Sequence, residues 1–175
     1  MEITIRNARI EDFDAVTRIM NQVQQLHVNW RPDIYKPNNQ LIPKEVFEEI
    51  VKGDTFFVAE TGEKVVGVME IMYRHIENPA QITRDVIYID TMAVEENYRG
   101  QGIGHQFFQK VKEIKEERGL DGIELQVNSK NEAAYEMYKK YGFQVKTYFM
   151  ELPYSAFSVE KLTEEEAREI CAWRD

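Results

Sequence analysis

Tyr88-Ile89-Asp90-Thr91-Met92-Ala93-Val94, followed after four residues by Arg99-Gly100-Gln101-Gly102-Ile103-Gly104, is the stretch whose reading decides the fold. The apolar run over 86–94 reads as a strand in a central position. Residues 105–118 carry Phe107, Phe108, Val111 and Ile114 on one helical face. Between them, glycines at alternate positions leave the backbone without Cβ atoms, so several N–H groups can converge on an anion. The first turn of the helix adds unpaired N–H groups and the positive end of its dipole. The spacing is neither the dinucleotide fingerprint nor a P-loop. On the glycines alone, a pyrophosphate cradle and a plain connecting turn are both open.

Working outward, residues 122–127 form the next strand, and strand, glycine segment, helix and strand make a right-handed parallel crossover with the glycines at the strand's carboxyl end. Upstream, 3–6 reads as a strand and 13–28 as a helix with Phe13, Val16, Ile19, Met20, Val23 and Leu26 at helical spacing. Residues 29–43 hold Pro32, Pro37 and Pro43 and read as a loop before a short helix that buries Val46, Phe47 and Ile50. Two strands, 55–60 and 64–73, flank Thr61-Gly62-Glu63 as an antiparallel hairpin, and 74–85 is a loop. Downstream, 131–141 is a helix stopped by Gly142, as Gly119 stops the one before it, and 144–152 is a strand. Thr163-Glu164-Glu165-Glu166 is a capping box for a last helix with Ala167, Ile170, Cys171 and Trp173.

The 175 residues, 43% of them hydrophobic, suffice for one core. Cys171 is the single cysteine, so intramolecular disulfides and thiolate metal cages are excluded, which fits a reducing, cytoplasmic setting. The first residues lack the apolar core of a secretory signal, and no window reaches the length of a membrane span. Lys and Arg number 22 against 31 Asp and Glu, a formal charge of −9, so nucleic acid and anionic membranes are not the expected partners.

Two motifs in order make a family resemblance specific. Residues 88–94 with Tyr98-Arg99-Gly100-Gln101-Gly102-Ile103-Gly104 resemble the acetyl-coenzyme A signature of the GNAT superfamily of N-acetyltransferases, Gln/Arg-x-x-Gly-x-Gly/Ala. Asn131-Glu132-Ala133-Ala134 with Tyr138, Tyr141, Gly142 and Phe143 resembles that superfamily's Asn-x-x-Ala-x-x-x-Tyr-x-x-x-Gly-Phe element. The resemblance implies an α/β (α+β) domain over 1–152, with a mixed central sheet, helices on both faces and a phosphate-binding strand-loop-helix. The tail 153–175 lies outside it. That tail is expected to be a short helix packed on the domain's own edge or on a second subunit, which leaves a homodimer open.

The same resemblance implies the donor site residue by residue. Backbone groups of Met92, Ala93 and Val94 would meet the acetyl carbonyl and pantetheine, and the N–H groups of Arg99, Gly100, Gln101, Gly102, Ile103, Gly104 and His105 would hold the pyrophosphate of acetyl-CoA. Asn131 would contact the cofactor or cap its helix. Tyr138, which spacing alone would make a core aromatic, would stand near the thioester sulfur as general acid. The expected reaction is acetyl transfer to a primary amine of a small molecule, peptide or protein N-terminus, with a non-catalytic acetyl-CoA sensor or scaffold as the alternative.

A protonated amine has no lone pair, so a base must act before attack. Asp90 is the first candidate, although a solvated strand aspartate has the same sequence appearance, and Glu70 on the neighbouring strand is the second. A strict period of two puts Asp90, Met92 and Val94 on one face of their strand, opposite Ile89, Thr91 and Ala93. His27, Trp30 and Tyr35 are acceptor-pocket candidates by position, as loop or core packing would also allow. His27, His75 and His105 lack metal-ligand spacing, so no metal is expected.

Overall fold

Runs rich in β-branched and other apolar residues build five strands, β1 (Thr4–Asn7), β2 (Phe56–Thr61), β3 (Lys64–Ile76), β4 (Arg84–Val94) and β5 (Gly122–Leu125). They form one sheet in the order β1-β2-β3-β4-β5. The first three pairings are antiparallel and β4–β5 is parallel, so the sheet is mixed. The computed structural model describes residues 2–152, in two compact units, one ending at Glu132 and the other beginning at Ala133. The expected C-terminal helix and Cys171 lie outside the described residues.

In the first unit, helices cover both faces of the sheet. On one face, Val16 and Ile19 of α1 (Phe13–Trp30) and Phe47 of α2 (Lys44–Ile50) share a buried cluster with Phe56, Val58, Val68 and Ala93. Each of the valine, isoleucine and phenylalanine side chains among them contributes roughly 1.5–3 kcal/mol by leaving water. On the other face, α3 (Ile103–Glu117) buries Ile103, Phe107, Phe108, Val111 and Ile114. Gly67 lets α3 approach: a Cβ there would lie 3.0 Å from Phe107 and 3.1 Å from Ile103. The polar start of α1 is fixed by Asp12, whose carboxylate takes the Arg6 guanidinium at 2.7 and 2.9 Å and the Arg9 N–H at 2.7 Å. Burial alone would raise the Asp12 pKa, but those donors outweigh it and hold it below the usual carboxylate range.

Several boundaries depart from the sequence reading. β3 and β4 run three and two residues further into the expected 74–85 loop, because they pair with each other as far as Ile76↔Arg84. α3 starts at Ile103 instead of 105, since Gly102 at φ 85° is the turn that opens it. The segment 144–152 is not a strand. It is exposed, with no ladder partner among the described residues, and apolar alternation without a partner does not make a strand. In the second unit, α4 (Glu132–Lys140) ends as expected before Gly142, whose φ of 92° only glycine adopts readily.

Candidate active site

The site in the first unit begins where β4 leaves its neighbour. β5 pairs with β4 only from Val86 to Ile89, while β3 follows β4 to Val94. Between Asp90 and Val94 the β5-side edge of β4 therefore has no ladder partner among the described residues. An extended chain of amides and carbonyls laid there would find the complementary backbone groups of a missing strand.

Beyond Val94 a single 3-10 turn, Glu96–Tyr98, leads to Arg99 in extended conformation and then to the glycines. Gly100 and Gly102 have φ of 75° and 85°, where a side chain is strained, and a Cβ at either would meet nothing within 4 Å. The space in front of the loop is thus open, and Gly102 caps a helix of 15 residues with no side-chain hydrogen bond at its N-terminus. The first intrahelical bond after it is Gln106 N–H to Gly102 O at 3.1 Å. These are the donors a pyrophosphate needs, so the residues present fit the expected ligand. Arg99 is fastened by its Nε to Val94 O at 3.1 Å, and Gln101 by its amide to Asn97 O at 3.1 Å. A groove between this loop and α1 is lined by Gln22, Gln25, Leu26, Glu96 and Arg99.

The strict alternation expected in β4 is broken. Glu70 pairs with Thr91, and the next residue, Ile71, pairs with Ile89, so Asp90 is an extra residue opposite the β3 ladder. This β-bulge resets the faces: Ile89 shares the α3 side with Met92 and Val94, and Asp90 drops out of their row. The effect is to bring the two candidate carboxylates together. Burial raises the Glu70 pKa, and the negative charge of Asp90 raises it further. Glu70 is half-buried and Asp90 exposed. No single-sequence pattern signals the bulge, because the extra residue is recognisable only against the partner strand.

The acceptor candidates gather at the end of α1. The His27 ring centre lies 4.8 Å from that of Tyr35 and 5.7 Å from that of Trp30. Burial lowers the His27 pKa, favouring the neutral imidazole. The loop that delivers Tyr35 is tied down by Asn21 and Gln24 of α1, whose amides donate to Asn39 O at 2.9 Å and Lys36 O at 2.7 Å. Glu70 belongs to a different group, in the sheet beside Phe56 and Thr91. In the second unit, Tyr138 packs edge-on to Phe143 with ring centres 5.8 Å apart, and burial raises the pKa of its phenol. Asn131 directly precedes α4, and its N–H donates to Asn128 O at 2.8 Å.

Sequence reasoning missed Glu95. It is buried at the end of β4 with Arg18 and Lys64 on its carboxylate. The available signal was a charge placed directly after the apolar end of β4, Met92 to Val94.

A mixed sheet that opens on one side of β4, with a glycine cradle at the strand's end, is the frame of an acetyl-group transferase. Comparison with known proteins gives that class its family. The profile of the acetyltransferase (GNAT) family matches residues 21–143. An uncharacterized N-acetyltransferase of Methanocaldococcus jannaschii is 30% identical over 145 residues, 82% of this chain, and the match spans only 61% of that relative's length. An N-alpha-acetyltransferase of Sulfurisphaera tokodaii is 32% identical over 149 residues, 82% of this chain and 81% of that one. The crystal structure of a mutant protein from Bacillus halodurans matches with a TM-score of 0.80 at 30% identity, over 86% of this chain and 98% of that one. The chain belongs to the acetyltransferase (GNAT) family.

Proposed function

We propose that this protein transfers acetyl from acetyl-CoA to a primary amine, and that the acceptor is a small molecule or the α-amine of a peptide or protein N-terminus. The observation that carries the reading is the separation of β4 from β5 after Ile89, immediately before the glycine cradle. The kinship with a protein named N-alpha-acetyltransferase favours the N-terminal α-amine.

In this reading Arg99 to His105 hold the pyrophosphate through backbone N–H groups, Asn131 assists on the cofactor side, and Met92 to Val94 lie along the pantetheine. Glu70 takes the proton from the attacking ammonium, directly or through a water, and the adjacent charge of Asp90 makes it the stronger base. The amine nitrogen then bonds to the thioester carbon, and the Met92 N–H stabilises the developing oxyanion by about 3 kcal/mol. As the C–S bond breaks, the leaving thiolate takes the proton of Tyr138, and the second proton shed by the nitrogen as the amide forms restores the phenol. A phenol whose pKa is raised by burial remains protonated until that step. His27, Trp30 and Tyr35 receive the acceptor, with aromatic faces suited to a cation.

A screen of amine acceptors that follows release of coenzyme A tests the reading. The expected result is turnover with at least one peptide N-terminus or small amine, reduced roughly 10²-fold or more in Tyr138→Phe. Binding of acetyl-CoA without turnover for any acceptor would favour a sensor or scaffold instead.

A further inference from the structure

The loop that carries the cradle is fastened at its root by a buried ion cluster to which the reaction above gives no role. Glu95 follows β4 directly and is 7% exposed. Its carboxylate pairs with the guanidinium of Arg18 from α1 and with the ammonium of Lys64, at 3.1 Å, from the start of β3. The same ammonium lies 4.8 Å from the ring centre of Tyr98, the residue before Arg99. The backbone repeats the pattern: Glu95 N–H donates to Val66 O at 2.8 Å, and Tyr98 N–H donates to Glu95 O at 2.9 Å. Arg18 also donates to Val65 O at 3.2 Å, and Glu96 N–H donates to the side-chain oxygen of Gln22 on α1 at 3.0 Å. Helix α1, strand β3 and the root of the cradle therefore meet on one carboxylate.

A carboxylate removed from water is unfavourable unless cations pair with it, and an apolar residue could fill the same place with less risk. What the charge adds is direction. Two cations from two different elements fix Glu95 more narrowly than apolar contact does, and the cradle glycines begin only five residues later. A cradle made of backbone N–H groups has no side chains to adjust, so its grip depends on where the loop is held.

We propose that Glu95 is a positioning residue for the donor site, setting through Arg18 and Lys64 where residues 99–105 present their N–H groups. The proposal rests on the reading of that loop as the acetyl-CoA site. The test uses the full chain with Glu95→Gln, measuring acetyl-CoA binding by calorimetry and amide hydrogen exchange in the free protein. The expected result is binding weakened about tenfold or more, with faster exchange confined to residues 95–105 and unchanged protection in β3 and mid-α3. Unchanged affinity would overturn the proposal, as would exchange that rises equally in β3 and α3, the mark of a purely structural residue. Lys64→Met, at a half-exposed position, is the second variant should Glu95→Gln fail to fold. It is expected to weaken acetyl-CoA binding to a smaller degree, and unchanged affinity there counts against the proposal. If the wild-type protein itself fails to bind acetyl-CoA, the donor-site reading falls, a result distinct from wild-type binding that Glu95→Gln leaves intact.

Discussion

In the proposed reading, the glycine cradle between β4 and α3 and the aromatic group at the end of α1 serve two recognition tasks with different materials. The cradle is backbone: Gly100 and Gly102 at positive φ, an uncapped helix start, and an unpaired stretch of β4. The aromatic group is side chain: His27, Trp30 and Tyr35 in mutual contact, on a helix end and a tied-down loop. Backbone recognition suits a ligand that never changes, because phosphates and amides ask only for N–H and C=O groups in the right places. Side-chain recognition suits the variable partner, since its chemistry can be rewritten without disturbing the sheet. The carboxylate pair Glu70 and Asp90 sits between these roles, as side chains placed by a backbone irregularity.

The comparison can be broken most severely at that pair. Glu70→Gln is expected to lower kcat by roughly 10²–10⁴ while leaving acetyl-CoA affinity unchanged, as read by steady-state kinetics and calorimetry. Because the Glu70 pKa is raised and the base acts when ionised, kcat/KM should rise with pH through a midpoint above the ordinary glutamate value and fall away below it.

The cradle is tested by Gly102→Val, which forces a β-branched residue to a φ of 85°. The strain, roughly 1–2 kcal/mol, is expected to weaken acetyl-CoA binding about tenfold with little change in acceptor KM. Trp30→Ala should do the opposite, raising acceptor KM by up to about tenfold at constant acetyl-CoA affinity. A variant pair that moved both constants together would erase the distinction between the two regions. The smallest effect is expected from Asp90→Asn, which removes the like charge beside Glu70 and so moves the acid limb of the pH profile toward lower pH.

The backbone of the glycine segment was more legible in the sequence than the side-chain group at the end of α1, for the same reason that divides them. Backbone sites leave glycines behind: Gly100 and Gly102 take positive φ, as do Gly119 and Gly142 at the helix ends where the sequence places them. The helical faces were legible too, because Val16, Ile19, Phe107 and Val111 repeat with the period of a buried stripe. Three features were not. The bulge at Asp90 exists only relative to the register of β3. The cluster on Glu95 joins residues 18, 64 and 95, whose separation along the chain leaves no local pattern. The segment 144–152 carries strand-like composition, yet a strand is defined by its partner.

Everything proposed for the reaction depends on the cradle being a site for acetyl-CoA. Thermal unfolding with and without ligand tests it most directly, since a ligand bound only by the folded state stabilises by RT ln(1 + [L]/Kd), about 2.7 kcal/mol at a hundredfold excess over Kd. The expected result is a concentration-dependent rise in Tm with acetyl-CoA that is far larger than with ATP or NAD at equal concentration. Equal or greater stabilisation by ATP or NAD would contradict it.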